Sequence, residues 1–136
     1  MSKISALFFI SIIIVNSGCF TPKANFEGIW TYQGDSSYFT LFLKQKNNKL
    51  TGSYCAVSQK GTRIDCRLDS SDTSFESQKI KRSSITTVRF TSYYMNSVGK
   101  AKIEKLNNEK INWTIIDKPK LEFYTPIIAT LTKEKR

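Results

Sequence analysis

No histidine occurs among the 136 residues, and acidic side chains number 11 against 21 basic ones. The first absence removes the most common general base, the usual partner of a serine or cysteine nucleophile, and the commonest metal-binding ring. With only three cysteines as well, a Cys/His zinc site is not expected. There is no glycine-rich phosphate loop and no carboxylate-rich metal loop. Asp65 with Asp69 or Asp72 would make a carboxylate pair, but Asp69 and Asp72 bracket a polar stretch and read as turn residues. A Ser–Lys pair is the nucleophilic arrangement that the composition leaves open. The chain is therefore not expected to be an enzyme, nor to carry a cofactor or a metal. Long apolar runs are missing too: residues 4–15 are 12 in number, against about 20 for a bilayer-spanning helix.

That short run is informative by its position. Lys3 precedes it, and Asn16, Ser17 and Gly18 lead from it to Cys19, which is the layout of a secretory signal. Ser17-Gly18-Cys19 resembles the lipobox of bacterial lipoproteins. The resemblance implies that residues 1–18 are a lipoprotein signal peptide and that Cys19 is lipidated on sulfur and acylated on its new amine. Asn16 stands where that family usually has an aliphatic residue, with Val15 one place earlier. Phe20 stands where an Asp commonly retains lipoproteins in the inner membrane, which implies an outer-membrane anchor facing the periplasm. Residues 19–25 are then the attachment site and a short linker, whose six residues after Cys19 reach about 20 Å when extended. Without Lys3, 20 basic side chains face 11 acidic ones, a net charge of +9. Such an excess favours anionic partners, outside the cytoplasm lipid phosphates, lipopolysaccharide or acidic proteins rather than nucleic acid, and also serves solubility.

From Phe26 onward apolar residues recur at every second position, with turn residues at short intervals and no helical stripe. Phe26, Gly28, Trp30 and Tyr32 form one such row; Phe39, Leu41 and Leu43 the next; Leu50, Gly52, Tyr54 and Ala56 a third. Asn47-Asn48 suits the tight turn between the second and third. Ile64, Cys66 and Leu68 alternate with Arg63, Asp65 and Arg67, the apolar set being expected inside. A weaker strand covers 73–80 and a longer one 85–94, with Val88 and Phe90 inward. Ala101 and Ile103 oppose Lys100, Lys102 and Glu104; Asn107-Asn108 leads to Ile111, Trp113 and Ile115; Ile127, Ala129 and Leu131 close the series. This predicts an all-β domain over residues 26–136, an antiparallel up-and-down β-barrel of eight or nine short strands, with a β-sandwich as the alternative. Meander connections and the removal of sheet edges favour the barrel.

Gly28-Ile29-Trp30 resembles the G-x-W of the calycin barrels, the lipocalins and avidins, and Leu50-Thr51-Gly52-Ser53-Tyr54 is similar to the avidin L-T-G-x-Y. The resemblance implies a barrel in which Ser36 and Tyr54 fall where that family contacts biotin. Tyr32 occupies the position of the family's Asn, and its later stacking tryptophans are unmatched, Trp113 being the only other Trp. Trp30 then reads either as a ligand contact or as a plug at one barrel end.

Cys55 and Cys66 lie symmetrically about Lys60-Gly61, which would set them opposite each other on adjacent strands at a spacing that suits a disulfide. Cys55 is out of phase with Leu50 and Tyr54, so either a bulge or an outward-facing bridge is required. Lys79, Lys81, Arg82 and Arg89 gather near one hairpin, and Lys100, Lys102 and Lys105 are expected along one outward face, a basic patch that could meet an anionic surface. Tyr93-Tyr94-Met95-Asn96 lies at a strand end. The expected function is a lipid-anchored binding module for an envelope protein, such as an inhibitor or immunity factor. A carrier of a small apolar ligand and a structural module on lipid or lipopolysaccharide phosphates are the alternatives.

Overall fold

Strict alternation in the apolar rows gives nine strands and no α-helix among the described residues, which in the computed structural model are 18, 23–66, 75–77, 80 and 83–135. The strands are β1 (Gly28–Gln33), β2 (Tyr38–Lys46), β3 (Lys49–Ser58), β4 (Arg63–Cys66), β5 (Phe75–Ser77), β6 (Ile85–Ser92), β7 (Ser97–Lys105), β8 (Lys110–Asp117) and β9 (Ile128–Lys133). All pairings are antiparallel. Eight strands close a ring in the order β1-β2-β3-β5-β6-β7-β8-β9, with β9 returning to β1, so the fold is a barrel and not a sandwich. β4 is the ninth strand. It pairs with residues 55–58 of β3, above the stretch where β5 pairs with Thr51 and Gly52.

Closure leaves one end with the turns 34–37, 59–62, 93–96 and the connection 118–127, here called the upper end. The lower end holds the entering segment 23–27, the turns 47–48 and 106–109, and the chain's last described residues. The two Asn-Asn pairs reverse the chain differently. Asn47 and Asn48 adopt φ of 51° and 64°, which suits the right-handed twist of a two-residue hairpin. Asn107 instead uses its side chain, Oδ1 accepting from the Glu109 N–H at 2.8 Å.

The inward rows of β1, β2, β3, β6, β7 and β8 are those expected from period two, and they fill the interior. Phe39 (β2) and Phe90 (β6) each meet Trp113 (β8) edge-on at 5.3 Å between centroids, and Tyr54 (β3) meets Phe90 at 6.1 Å. Side chains from opposite sides of the ring thus touch across the barrel axis. An eight-stranded barrel is just wide enough to be filled in this way, and each such residue gains roughly 1.5–3 kcal/mol on burial.

Room for the rings comes from glycine. Gly52, Phe75, Phe90 and Gly99 are successive register partners across β3, β5, β6 and β7. A Cβ on Gly52 would run into the Phe42 carbonyl oxygen and lie 2.7 Å from the Phe75 ring, and one on Gly99 would lie 2.8 Å from Phe90. Here a missing side chain is a packing requirement. Gly52→Ala should therefore lower stability by roughly 1–3 kcal/mol through overpacking. A urea midpoint equal to that of the parent protein would show that the row does not depend on glycine.

Candidate functional site

The period-two reading fails at β4, and the failure exposes the most heavily bonded side chain of the upper end. Cys55 and Cys66 are register partners with Cα atoms 4.0 Å apart and their sulfurs joined. β3 runs without a bulge from Lys49 to Ser58, so Cys55 points outward, between the inward Tyr54 and Ala56. Its partner Cys66 must then also point outward. Asp65, opposite Ala56, points in. Ile64, expected inside, is 58% exposed, and Asp65 is 0% exposed.

Once inside, the carboxylate collects donors from four segments. Oδ1 accepts from the Tyr93 N–H at 2.7 Å, the Tyr54 hydroxyl at 3.0 Å and the Tyr94 N–H at 3.2 Å. Oδ2 accepts from the Ser92 hydroxyl at 2.9 Å and the Tyr124 N–H at 3.1 Å. Charge-assisted bonds of this kind are the strong ones, and they satisfy a group that burial would otherwise penalise. Burial first, and the adjacent carboxylate second, push the Tyr54 phenol far above its ordinary range, so it stays a donor. The Tyr54 ring also packs on Tyr93 at 5.6 Å.

Around this buried cluster the rim is aromatic. Tyr94 and Tyr124 stack edge-to-face at 4.7 Å, and the Tyr124 hydroxyl bonds Glu122, whose carboxylate pushes that phenol up to about 12. A groove of about 310 Å³ opens beside them, bordered by Tyr32, Tyr38, Phe123, Tyr124, Pro126 and Ile127. Ile127, expected inward, precedes β9 and is exposed; only its carbonyl joins the ladder, accepting from the Ile115 N–H.

The lower end is closed by the entering chain. Phe26 is buried; its N–H donates to Gln45 Oε1 at 2.8 Å, while Gln45 Nε2 donates to the Ala24 carbonyl at 3.0 Å. Trp30, fully buried, donates from its indole to the Phe26 carbonyl at 2.9 Å, with the Lys133 ammonium 5.3 Å from its ring centroid. Lys105 belongs here and not to the outward row. It has the parity of Ile103, turns into the lower mouth and donates to the Asn25 carbonyl at 2.8 Å. Burial, then the nearby Lys133, lowers its ammonium below the ordinary lysine range.

Of the remaining sequence candidates, Arg89, Lys100 and Lys102 face outward on β6 and β7, and Arg89 is the direct partner of Lys100. Ser36 is exposed in the β1–β2 turn, whereas Tyr54 is buried. Cys19, Lys79, Lys81, Arg82, Asp69 and Asp72 lie outside the described residues. Among the described residues no His/Cys/Asp/Glu group could hold a metal ion, and no helix is long and apolar enough to cross a membrane. Asp65, a candidate only as half of a carboxylate pair, is set outward by the alternation because its neighbours Ile64 and Cys66 are the more apolar, whereas it is buried. The usable signal was the disulfide itself, which fixes the register and with it the phase of β4. No family model, curated protein or solved structure matches this chain.

Two substitutions test the cluster. Asp65→Asn replaces one acceptor oxygen with an NH2 donor that faces other donors and should cost about 3 kcal/mol or more in urea denaturation, since hydrogen bonds to charged groups contribute roughly 1.5–3 kcal/mol each. A folded-state Tyr54 phenol raised above its unfolded value near 10 contributes stability that is complete below pH of about 10 and is lost as pH rises beyond it. Denaturation midpoints should thus fall above about pH 10, and Tyr54→Phe should remove this alkaline component. An alkaline profile unaltered by Tyr54→Phe would refute the assignment.

Proposed function

We propose that this chain is a membrane-anchored envelope lipoprotein acting as a non-catalytic binding module for a protein partner, as an inhibitor or immunity factor would. The observation that carries this reading is the polarity of the barrel. Of the 11 exposed large hydrophobic residues described, Tyr38, Ile64, Tyr94, Met95, Val98, Ile116, Leu121, Ile127 and Ile128 lie towards the upper end, and only Ile85 and Leu106 towards the lower. The chain enters at the lower end, so an anchor at Cys19 would present the apolar end away from the membrane. Exposed apolar side chains gathered towards one end, with Tyr38 and Tyr94 among them, have the composition of a protein-binding surface.

The interior supports the same choice. With aromatic rings meeting across the axis, binding falls to the outer surface and not to a ligand cavity, which weighs against the carrier. Asp65, the buried carboxylate, is occupied by five donors and held away from solvent, and it is not positioned for acid–base work.

Intact mass of the protein from bacterial membranes tests the anchor: residues 19–136 plus acyl chains are expected, and an unacylated mass would overturn it. Recognition is tested by crosslinking and co-purification. A stoichiometric envelope protein should accompany the parent chain, and the combination Tyr94→Ala, Ile116→Ser and Ile128→Ser should reduce its capture about tenfold, since single hot-spot truncations cost more than about 1 kcal/mol. Capture that survives these three changes, or a small molecule retained in native mass spectrometry, would defeat the reading.

A further inference from the structure

The outer wall of β5, β6 and β7 carries a feature that recognition at the upper end leaves unused. A groove of about 950 Å³ runs along it, bordered by Lys49, Glu76, Thr87, Arg89, Thr91 and Lys100. Arg89 and Lys100 stand directly opposite each other across β6 and β7, both exposed. Like charges in that position repel. Nearby carboxylates do not relieve them. Glu76 is the register partner of Arg89 on the β5 side, yet it bonds Lys49, and Glu104 pairs with Lys102. Asp117 also borders the groove and is the partner of Lys100 on β8, but the two form no ion pair. Thr87 and Thr91 flank Arg89 on the same outward face, adding hydroxyl donors.

We infer that this groove binds a phosphorylated ligand, with the phosphoryl group held between the Arg89 guanidinium and the Lys100 ammonium and the Thr87 and Thr91 hydroxyls left to other polar atoms of the ligand along the strand. A guanidinium offers a planar fork of donors that matches two phosphate oxygens, and an ammonium adds a compact charge for a third. The groove is far larger than one phosphate, and Val98, 45% exposed at its border, provides an apolar wall for the rest of the ligand. A soluble phosphorylated molecule and an anionic lipid headgroup share this chemistry.

The test titrates the purified full-length protein with sodium pyrophosphate, followed by calorimetry, and with vesicles of phosphatidylcholine alone or with added phosphatidylglycerol, followed by co-sedimentation; vesicle binding is scored as the excess that phosphatidylglycerol adds, because an acyl anchor would enter both vesicles alike. The double variant Arg89→Gln with Lys100→Gln should bind pyrophosphate about tenfold more weakly or worse, the equivalent of about 1.4 kcal/mol. Lys110→Gln with Lys135→Gln, which removes the same charge from the lower end, should leave that affinity unchanged. Vesicle binding lost in the same double variant assigns the ligand to a headgroup; pyrophosphate binding without vesicle binding assigns it to a soluble molecule. Failure to bind either probe, or an equal loss in the lower-end control, overturns the inference. Misfolding does not confuse the result, because removing one exposed repulsion should leave the urea midpoint unchanged or higher.

Discussion

One carboxylate substitutes for a missing stretch of sheet. In the lower half of the barrel β5 joins β3 to β6 by ordinary pairing, but higher up β4 pairs with β3 and has no ladder to β6 among the described residues. Asp65 spans that seam. From β4 it takes hydrogen bonds from Tyr54 on β3, from Ser92 at the end of β6, from the turn that follows and from the connection that precedes β9. A backbone ladder would join only two strands, whereas this side chain joins four segments at once and also caps the aromatic interior. The cost of burying a charge is met because every contact to it comes from a donor. Its position depends in turn on the disulfide. Cys66, one residue on, is bound to Cys55 on the outer face, and in a strand an outward residue forces its neighbour inward.

This arrangement explains why the sequence was legible for most staves and not for this one. Hydrophobic alternation identifies the inward face where the apolar set is long, as in Leu50, Gly52, Tyr54 and Ala56, because burial of that set outweighs anything else the strand could gain. A four-residue strand such as β4 has little apolar area to commit. A covalent bond and five hydrogen bonds then outweigh the exposure of Ile64, which hydrophobicity alone would have placed inside. Lys105 is a different case. Its parity was already that of Ile103, and only the habit of grouping lysines placed it with Lys100 and Lys102. At the mouth of a barrel a lysine can turn its aliphatic stem inward and leave its ammonium at the rim, here bonded to the Asn25 carbonyl.

For the proposed binding role, a filled interior leaves recognition to the surface. Outside the seam between β4 and β6, the ring pairs the backbone groups of its staves internally, so side chains supply most of the contacts open to a partner. The described surface divides its chemistry accordingly. The upper rim combines tyrosines with branched aliphatics, whose burial would gain affinity by excluding water, while the wall over β6 and β7 sets two cations face to face, neither in an ion pair among the described residues. These features differ in what they would bind and in how salt would affect them. Screening weakens the wall at high ionic strength and leaves the rim nearly untouched.

The entering segment links these surfaces to the proposed anchor. Phe26 is buried in the lower mouth and its flanking backbone is held by Gln45 and Lys105, so the chain is fixed to the barrel from residue 24 onward. From there the chain passes directly into β1. A domain attached at Cys19 would therefore pivot within a few residues of the membrane, its lower lysines near the headgroups and its apolar rim a barrel's length away. Contact with a partner at that rim would then be made without drawing either surface through the lipid interface. The strap at the lower mouth thus matters for presentation as much as for stability, because loosening it would free the orientation of the rim while leaving the Asp65 cluster intact.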